Sequence, residues 1–299
     1  MNRQPISIVI PVYKNYEMFY RYLNINKKYF DGCEVVIMND YPDEDITKPV
    51  KEIYPKAIVI NNKKNCGFAG NVNKGVLKSK RDYVFLMNSD VVLRDNSFLT
   101  SIKLFKKDRK LFGVGFAQLE KDKRVVGSNI GYFKKGFINH SFQPIGNGKK
   151  IITNFWAEGG ASMFRRDLFI KIGMLDELFN PFYWEDIDLS YRAWKSGYKI
   201  IFMPQVLVEH HHESTIGKYF QQKKILRTAF RNQLFFHWKN LTDKKLLMDH
   251  LFYLPRYILT PGFFDALLKL NTVLKLRKIN KKLFIKNDED ILALFDNSN

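Results

Sequence analysis

Ile6-Ser7-Ile8-Val9-Ile10-Pro11-Val12 is an apolar run broken only by one serine and drawing to its close at a proline. Strict alternation of apolar and polar residues would mark a sheet with one wet face. A near-continuous run marks a strand covered on both faces, as in parallel sheets. A helical pattern follows from about Tyr16 to Tyr29, and then three more short apolar runs, Glu34–Met38, Ala57–Ile60 and Asp82–Met87. Between the last two, Gly67-Phe68-Ala69-Gly70-Asn71 opens a helical pattern reaching about Ser79, and Asn96 or Ser97 is placed to cap another. Strands alternating with helices predict an α/β fold with a mostly parallel central sheet. Ligands of such sheets bind beyond the carboxyl ends of the strands. Tyr13, Asn39, Asp40, Asn65, Asn88 and Asp90 collect at those ends here. Each alone is an ordinary turn residue, but four strands ending alike point to a site.

The pattern weakens from Lys110 to Ile152, where runs at 111–119 and 124–133 predict strands and hairpins, with Asn147-Gly148 as a turn. Trp156, Glu158 and Gly159-Gly160 then read as strand or loop beneath the site, with glycine where a ligand or backbone comes close. Asp167–Ile172 reads as a short helix and Tyr198–Met203 as a strand. Val206–Glu209 leads into His210-His211-His212-Glu213-Ser214-Thr215.

The densest acidic stretch is Tyr183-Trp184-Glu185-Asp186-Ile187-Asp188, in apolar surroundings. Trp184 to Lys195 predicts a helix closed at Gly197. On it Glu185 and Asp188 share one side, and Asp186 points roughly 100° away. One face can hold local structure through Arg192, four residues after Asp188; the other is left for a ligand. Taken alone, the stretch is equally well read as a capped helix with a salt bridge.

Asp90, a hard oxygen ligand after a strand, suits Mg2+ or Mn2+ together with phosphate oxygens, and an imidazole such as His210 is tolerated by Mn2+. Such a metal neutralises a departing diphosphate. A carboxylate across the cleft would take the proton of an attacking hydroxyl. Asp186, set between Tyr183 and Trp184, fits that place, and burial there should raise its pKa. The chemistry is group transfer from a nucleotide-activated donor.

Ile8-Val9-Ile10-Pro11-Val12-Tyr13, Asn39-Asp40, Gly67-Phe68-Ala69-Gly70-Asn71-Val72-Asn73, Asn88-Ser89-Asp90, Trp184-Glu185-Asp186-Ile187-Asp188 with Arg192 and Gly197, and His210 with Ser214 follow one another over about residues 5–215. In that order they resemble glycosyltransferase family 2, in its bacterial rhamnosyltransferase-like branch, which builds O-antigen, capsule and related cell-envelope glycans. The resemblance implies a GT-A fold and inverting, single-displacement transfer from a nucleoside-diphosphate sugar, dTDP-rhamnose or a UDP-sugar. It further implies that Pro11, Val12, Tyr13, Asn39 and Asp40 line the nucleoside pocket. Asn65, Gly67, Phe68, Ala69, Gly70 and Asn71 would approach the nucleotide, the glycines admitting backbone contact. Asn88, Ser89 and Asp90 occupy the D-x-D-type metal motif, and His210 the place of the late metal ligand. Asp186 is the implied base, with Trp184, Glu185, Trp156 and Gly160 as acceptor-side wall. Asn88 replaces the first acid of the metal motif, Asn39-Asp40 reverses the family's Asp-Asn, and His210 and His211 both remain candidate ligands.

The chain has 299 residues and a net charge of +19. Residues 216–286 hold sixteen Lys or Arg against three Asp. That shift divides the chain into a catalytic region, 1–215, and a basic, aromatic-rich helical tail, 216–299. Leu226, Phe230, Leu234 and Trp238 recur every four residues with basic residues between them. The stripe either packs on the main domain or docks on an anionic cytoplasmic leaflet. No zinc-finger, helix-turn-helix or RNA-binding signature supports nucleic acid. Cys33 and Cys66 lack metal-ligand spacing. With no apolar leader read at Met1, the expected place is cytoplasmic, peripheral on the membrane's inner face, with a lipid-linked saccharide as acceptor. A glycoside hydrolase needs carboxyl groups about 5–9.5 Å apart across a sugar, which adjacent, diverging Glu185 and Asp186 do not offer. A catalytically inactive, membrane-associated relative is the alternative that Asn88 supports.

Overall fold

The computed structural model describes residues 3–143, 150–210 and 215–296. The Asn147-Gly148 turn, His211 and Ser214 lie outside them. Twelve strands form among the described residues: β1 (Ile6–Val12), β2 (Glu34–Asn39), β3 (Ile58–Asn61), β4 (Tyr83–Met87), β5 (Val91–Leu93), β6 (Leu111–Leu119), β7 (Val125–Val126), β8 (Asn129–Lys134), β9 (Phe137–Phe142), β10 (Ile152–Thr153), β11 (Ala161–Arg165) and β12 (Lys199–His210). The main sheet runs β10-β12-β6-β11-β4-β1-β2-β3, with β5 on β12 and β7 on β6, while β8 and β9 make a separate hairpin.

The first apolar run behaves as its composition demands. All of β1 is buried, Val9 facing one core cluster and Ile8 and Ile10 the other. β3, β2, β1 and β4 are parallel neighbours, as are β6 and β12. β11 instead runs antiparallel between β4 and β6. That direction decides where the site forms, because the start of β11 then lies at the carboxyl end of β4, Ala161 opposite Met87. The two runs expected at 198–203 and 206–209 join as one strand, β12, with a register shift between Met203 and Leu207. Its end pairs antiparallel with β5, His210 opposite Val91. The helix expected after Asn96 begins as a 3-10 turn, Ser97–Thr100, and neither Asn96 nor Ser97 caps it. Asp95 does, its Oδ1 accepting from the Ser97 N–H at 2.8 Å.

The compositional boundary at 216 is not a boundary in packing. Leu234, Phe235, Phe236 and Trp238 of the Gln222–Asn240 helix belong to the same core cluster as Trp184, Tyr191 and Trp194. The period-four stripe is correspondingly split: Leu226 is exposed, but Leu234 and Trp238 are buried, so half of the face read as a docking stripe is spent on the core. Burial of each large apolar side chain here is worth about 1.5–3 kcal/mol. Charges from the tail are buried too. Lys239 bonds Asp176 at 2.6 Å and Asp188 at 2.8 Å, and Asp288 bonds Lys195 at 2.7 Å.

Candidate active site

The Glu185–Lys195 helix forms where the acidic stretch predicted it. Tyr183 and Trp184, just before it, both have positive φ, 72° and 75°. Such conformations cost roughly 1–3 kcal/mol each in residues that carry a Cβ. Asn232 of the tail holds them: its Nδ2 donates to the carbonyls of Phe179, Phe182 and Tyr183 at 2.6, 2.9 and 2.9 Å. The carboxylates divide their work as the helical angles imply. Asp188 is fully buried, with Arg192 at 2.7 Å and the Asn240 amide at 2.7 Å. Glu185 is buried as well, and its Oε2 has no hydrogen-bond partner among the described residues. Burial, with Asp186 and Asp188 nearby, pushes its pKa well up. Asp186 stays partly exposed. Its Oδ2 accepts from the Gly159 N–H at 3.2 Å and its Oδ1 from the Ile187 N–H at 2.8 Å. Burial raises its pKa, and these two bonds offset part of the rise.

Gly159 and Gly160 connect the two halves of the site. Gly159 faces Asp186, while the Gly160 carbonyl accepts from the Asn88 N–H at 2.8 Å. A Cβ on Gly160 would sit 3.0 Å from Asn88 Nδ2 and 3.2 Å from His210 Cε1. Asp90 and His210 meet because β5 and β12 are paired: Asp90 Oδ1 lies 3.2 Å from His210 Nε2. Burial alone would push the His210 pKa down, but the hydrogen bond and charge of Asp90, with Glu158 beyond, outweigh it and hold it up. An oxygen and an imidazole nitrogen so placed fit Mn2+ as a donor set better than Mg2+, which takes oxygen ligands. They are two protein ligands, and no group of three potential ligands occurs among the described residues. Phosphate oxygens and water would have to complete the shell.

Just beyond β1, Tyr13 and Tyr41 stand edge to face at 6.0 Å, and Lys14 Nζ lies 4.6 Å from the Tyr41 ring. Pro11 and Val12 are buried beneath. Several residues expected to meet the nucleotide turn inward instead. Asn39 is fully buried, its Nδ2 donating to the Glu44 carbonyl at 2.6 Å and its Oδ1 accepting from Tyr16 Oη at 3.0 Å. Asn71 donates to the Met38 carbonyl at 3.0 Å and accepts from Asn62 at 2.8 Å. Asp40 accepts from the Cys66 N–H at 2.8 Å and from Asn62 at 2.9 Å. Short polar side chains at strand ends satisfy turn backbone in this way, so these three brace the turns beyond the strands. The glycines also serve the fold. Gly67 has φ 71°, and a Cβ there would meet Asn180 Oδ1 at 2.4 Å; at Gly70 it would meet Cys66 and Glu177. At both positions close packing within the chain accounts for the missing Cβ. Asn65 Oδ1 accepts from the Gly67 N–H at 2.9 Å. Phe68 packs on Gly159, and Ala69 is buried in the core. Ser89 sits between Asn88 and Asp90, partly exposed.

Trp156 and Trp184, expected to wall the acceptor side, both lie against a third ring that sequence reading missed. His140 of β9 lies 4.8 Å from Trp156 and 5.6 Å from Trp184. A lone histidine in a weakly patterned hairpin carries no signal in the chain. Gln118 was missed likewise; it touches both Glu158 and His210.

A family model described as glycosyl transferase family 2 matches residues 7–173, more than half of the chain. The chain belongs to glycosyl transferase family 2. Poly-beta-1,6-N-acetyl-D-glucosamine synthase of Staphylococcus aureus is 23% identical over 200 residues, 65% of this chain and 46% of that protein. This family 2 chain therefore spans about half the length of that relative. The O-antigen chain rhamnosyltransferase RfbN of Salmonella typhimurium is 22% identical over 225 residues, 73% of this chain and 69% of that one. Among solved structures, GalNAc-T7 with UDP, GalNAc and Mn2+ superposes with a TM-score of 0.69 at 15% identity, covering 98% of this chain and 56% of its own. The mannosyltransferase PcManGT of Pyrobaculum calidifontis, in complex with GDP-Man and Mn2+, gives 0.56 at 14%, covering 99% and 86%. The fold is GT-A, as the order of motifs implied.

Proposed function

We propose that this family 2 protein transfers a sugar, with inversion, from a nucleoside-diphosphate donor to a hydroxyl of a growing, lipid-linked cell-envelope glycan. The observation that carries this is the Gly159–Gly160 segment, which puts Asp186 on one side and the Asn88, Asp90 and His210 cluster on the other. Asp186 takes the acceptor proton. Asp90 and His210 would hold Mn2+ or Mg2+, which neutralises charge on the leaving diphosphate. Trp156, Trp184 and His140 form an apolar wall suited to a sugar face. The rhamnosyltransferase among the relatives supports rhamnose as the sugar of a dTDP-linked donor, and the UDP-bound neighbour supports a UDP-sugar. A panel of nucleotide sugars with Mn2+ should yield one that raises the melting temperature, since a ligand of the native state alone stabilises it. Asp90→Ala should abolish the Mn2+-dependent part of that shift. If no nucleotide sugar shifts the parent protein, the transferase reading fails and the second reading, an inactive relative suggested by Asn88 in the metal motif, gains.

The membrane partner is proposed from a different part of the tail than the stripe. On the Lys244–Tyr253 helix, Met248, Leu251 and Phe252 are exposed while Leu246 and His250 turn inward. On the Phe263–Leu268 helix, Phe264, Leu267 and Leu268 are exposed while Phe263 and Ala266 turn inward. Leu259, between them, is 92% exposed. Lys244, Lys245, Arg256 and Lys269 are exposed beside these apolar side chains. Exposed apolar side chains interspersed along the chain with cations fit an anionic leaflet. No helix of the described residues is long and apolar enough to cross a membrane. The protein should float with anionic vesicles and not neutral ones, less so as salt rises. Leu259→Asp with Leu268→Asp should abolish flotation; undiminished flotation would refute this surface.

A further inference from the structure

Gln118, 1% exposed on β6, stands between two groups whose roles differ. Its Nε2 donates to Glu158 Oε2 at 2.5 Å, and its Oε1 lies 2.6 Å from His210 Nδ1. The other Glu158 oxygen accepts from Asn129 Nδ2 at 3.2 Å. Asn129 is fully buried and is itself held by Asn154, whose Oδ1 accepts from its backbone N–H at 2.6 Å. On the far side of the imidazole, Nε2 faces Asp90. A polar chain thus runs from Asn129 through Glu158, Gln118 and His210 to Asp90.

An amide side chain has a donor end and an acceptor end, whereas a carboxylate only accepts. Glu158 therefore dictates which end of Gln118 faces it, and the acceptor end is left for His210. Nδ1 of the imidazole must carry a proton to meet that oxygen. Nε2 is then the nitrogen that faces Asp90: it donates to that carboxylate when no cation is bound, and a cation between the two would take its lone pair in place of the proton. Reverse the amide and Nδ1 becomes the acceptor, Nε2 takes the proton, and the ring can no longer ligate.

We propose that Gln118 and Glu158 are positioning residues for the cation site, fixing the tautomer and rotation of His210. This rests on the reading that Asp90 and His210 hold the cation; neither Gln118 nor Glu158 touches it. Hydrogen-bond partners of this kind behind a metal ligand typically govern about 10–100-fold in metal affinity.

The test is Mn2+ binding in the presence of UDP, or of GDP where UDP does not bind, followed by the electron paramagnetic resonance of free Mn2+. Melting temperature in chelator tracks folding. Gln118→Met keeps the size and loses the acceptor, and should weaken Mn2+ by about 10–100-fold, while melting falls only by the few degrees expected when buried groups lose one hydrogen-bond partner. The exchange of both residues, Gln118→Glu with Glu158→Gln, keeps every donor facing an acceptor: His210 to Glu, Gln to Glu, and Asn129 to the amide oxygen. It should recover most of the lost affinity. Wild-type Mn2+ binding in Gln118→Met would overturn the proposal, as would a double variant as weak as Gln118→Met. His210→Ala separates the two layers. Unchanged Mn2+ binding there would overturn the metal assignment beneath the proposal, whereas loss there with none in Gln118→Met would overturn the positioning role alone.

Discussion

Asp186→Asn is expected to keep donor binding and lose turnover by about 10²–10⁴-fold, the range a positioned general base contributes. Asparagine has nearly the same shape and can still accept from the Gly159 N–H, so the nucleotide side should be undisturbed. The pH profile carries the sharper expectation. Burial raises the Asp186 pKa, and a base must be ionised to work. The acid limb of the parent's rate should therefore fall above the ordinary carboxylate range, near 4, and be absent from the residual rate of the variant. Stability should move the other way. A carboxyl group whose folded pKa is raised contributes stability below its unfolded pKa and loses it as pH rises through the folded value. At neutral pH the ionised Asp186 is thus a burden on the fold, and Asp186→Asn should melt no lower than the parent. Steady-state transfer with a calorimetric scan checks both. Near-parental turnover in the variant would remove Asp186 from the mechanism.

Asp288→Asn is expected to destabilise the whole protein by about 3–5 kcal/mol, the cost of stranding a buried charge, although residue 288 lies outside the family-matched segment. Asp288 is fully buried. It accepts from Tyr191 Oη at 2.6 Å, from Lys195 Nζ at 2.7 Å, and from the Thr242 and Asp243 N–H groups at 2.6 and 2.8 Å. Burial would raise its pKa, but Lys195 and these bonds outweigh that and lower it. The sign is then the opposite of that at Asp186: its contribution is present above the unfolded pKa and lost as pH falls through the folded one. With asparagine, Lys195 has no counter-charge from Asp288. At roughly 2–4 °C per kcal/mol for chains of this order of size, the melting temperature should drop by about 10 °C at neutral pH. The gap between variant and parent should narrow in acid. A chain ending at residue 286 also loses Ile291 from the core and Phe295 from its packing on Phe155 and Trp194, and should melt lower still. A truncated chain with parental melting would show that the tail is an appendage after all.

Much of the site could be read along the chain because its parts sit at the ends of elements. Ile6–Val12 announces a doubly covered strand through composition, and whatever follows it lies at the ligand-binding edge. That Asp186 points away from Asp188 could be read from helical angles alone, since Asp188 is drawn to Arg192 one turn on. Asn39, Asp40 and Asn71 misled for a related reason. A polar residue at a strand end serves a ligand or the turn behind it, and which of these it does depends on neighbours distant in sequence, here Glu44, Asn62 and Cys66. Why residues 67 and 70 pack as glycines was not legible either, because what fills the place of a missing Cβ is a tertiary fact.

Local pattern thus carried the α/β class, the parallel half of the sheet, the acidic helix and the basic character of the tail. These follow from periodicity, chain-local angles and charge, all of which act over a few residues. The antiparallel course of β11, the pairing that sets His210 beside Asp90, the Gln118–Glu158 chain and the burial of the tail's lysines belong to the folded molecule. Each joins residues tens to more than a hundred positions apart, and such contacts are specified only when packing of the entire core selects one arrangement.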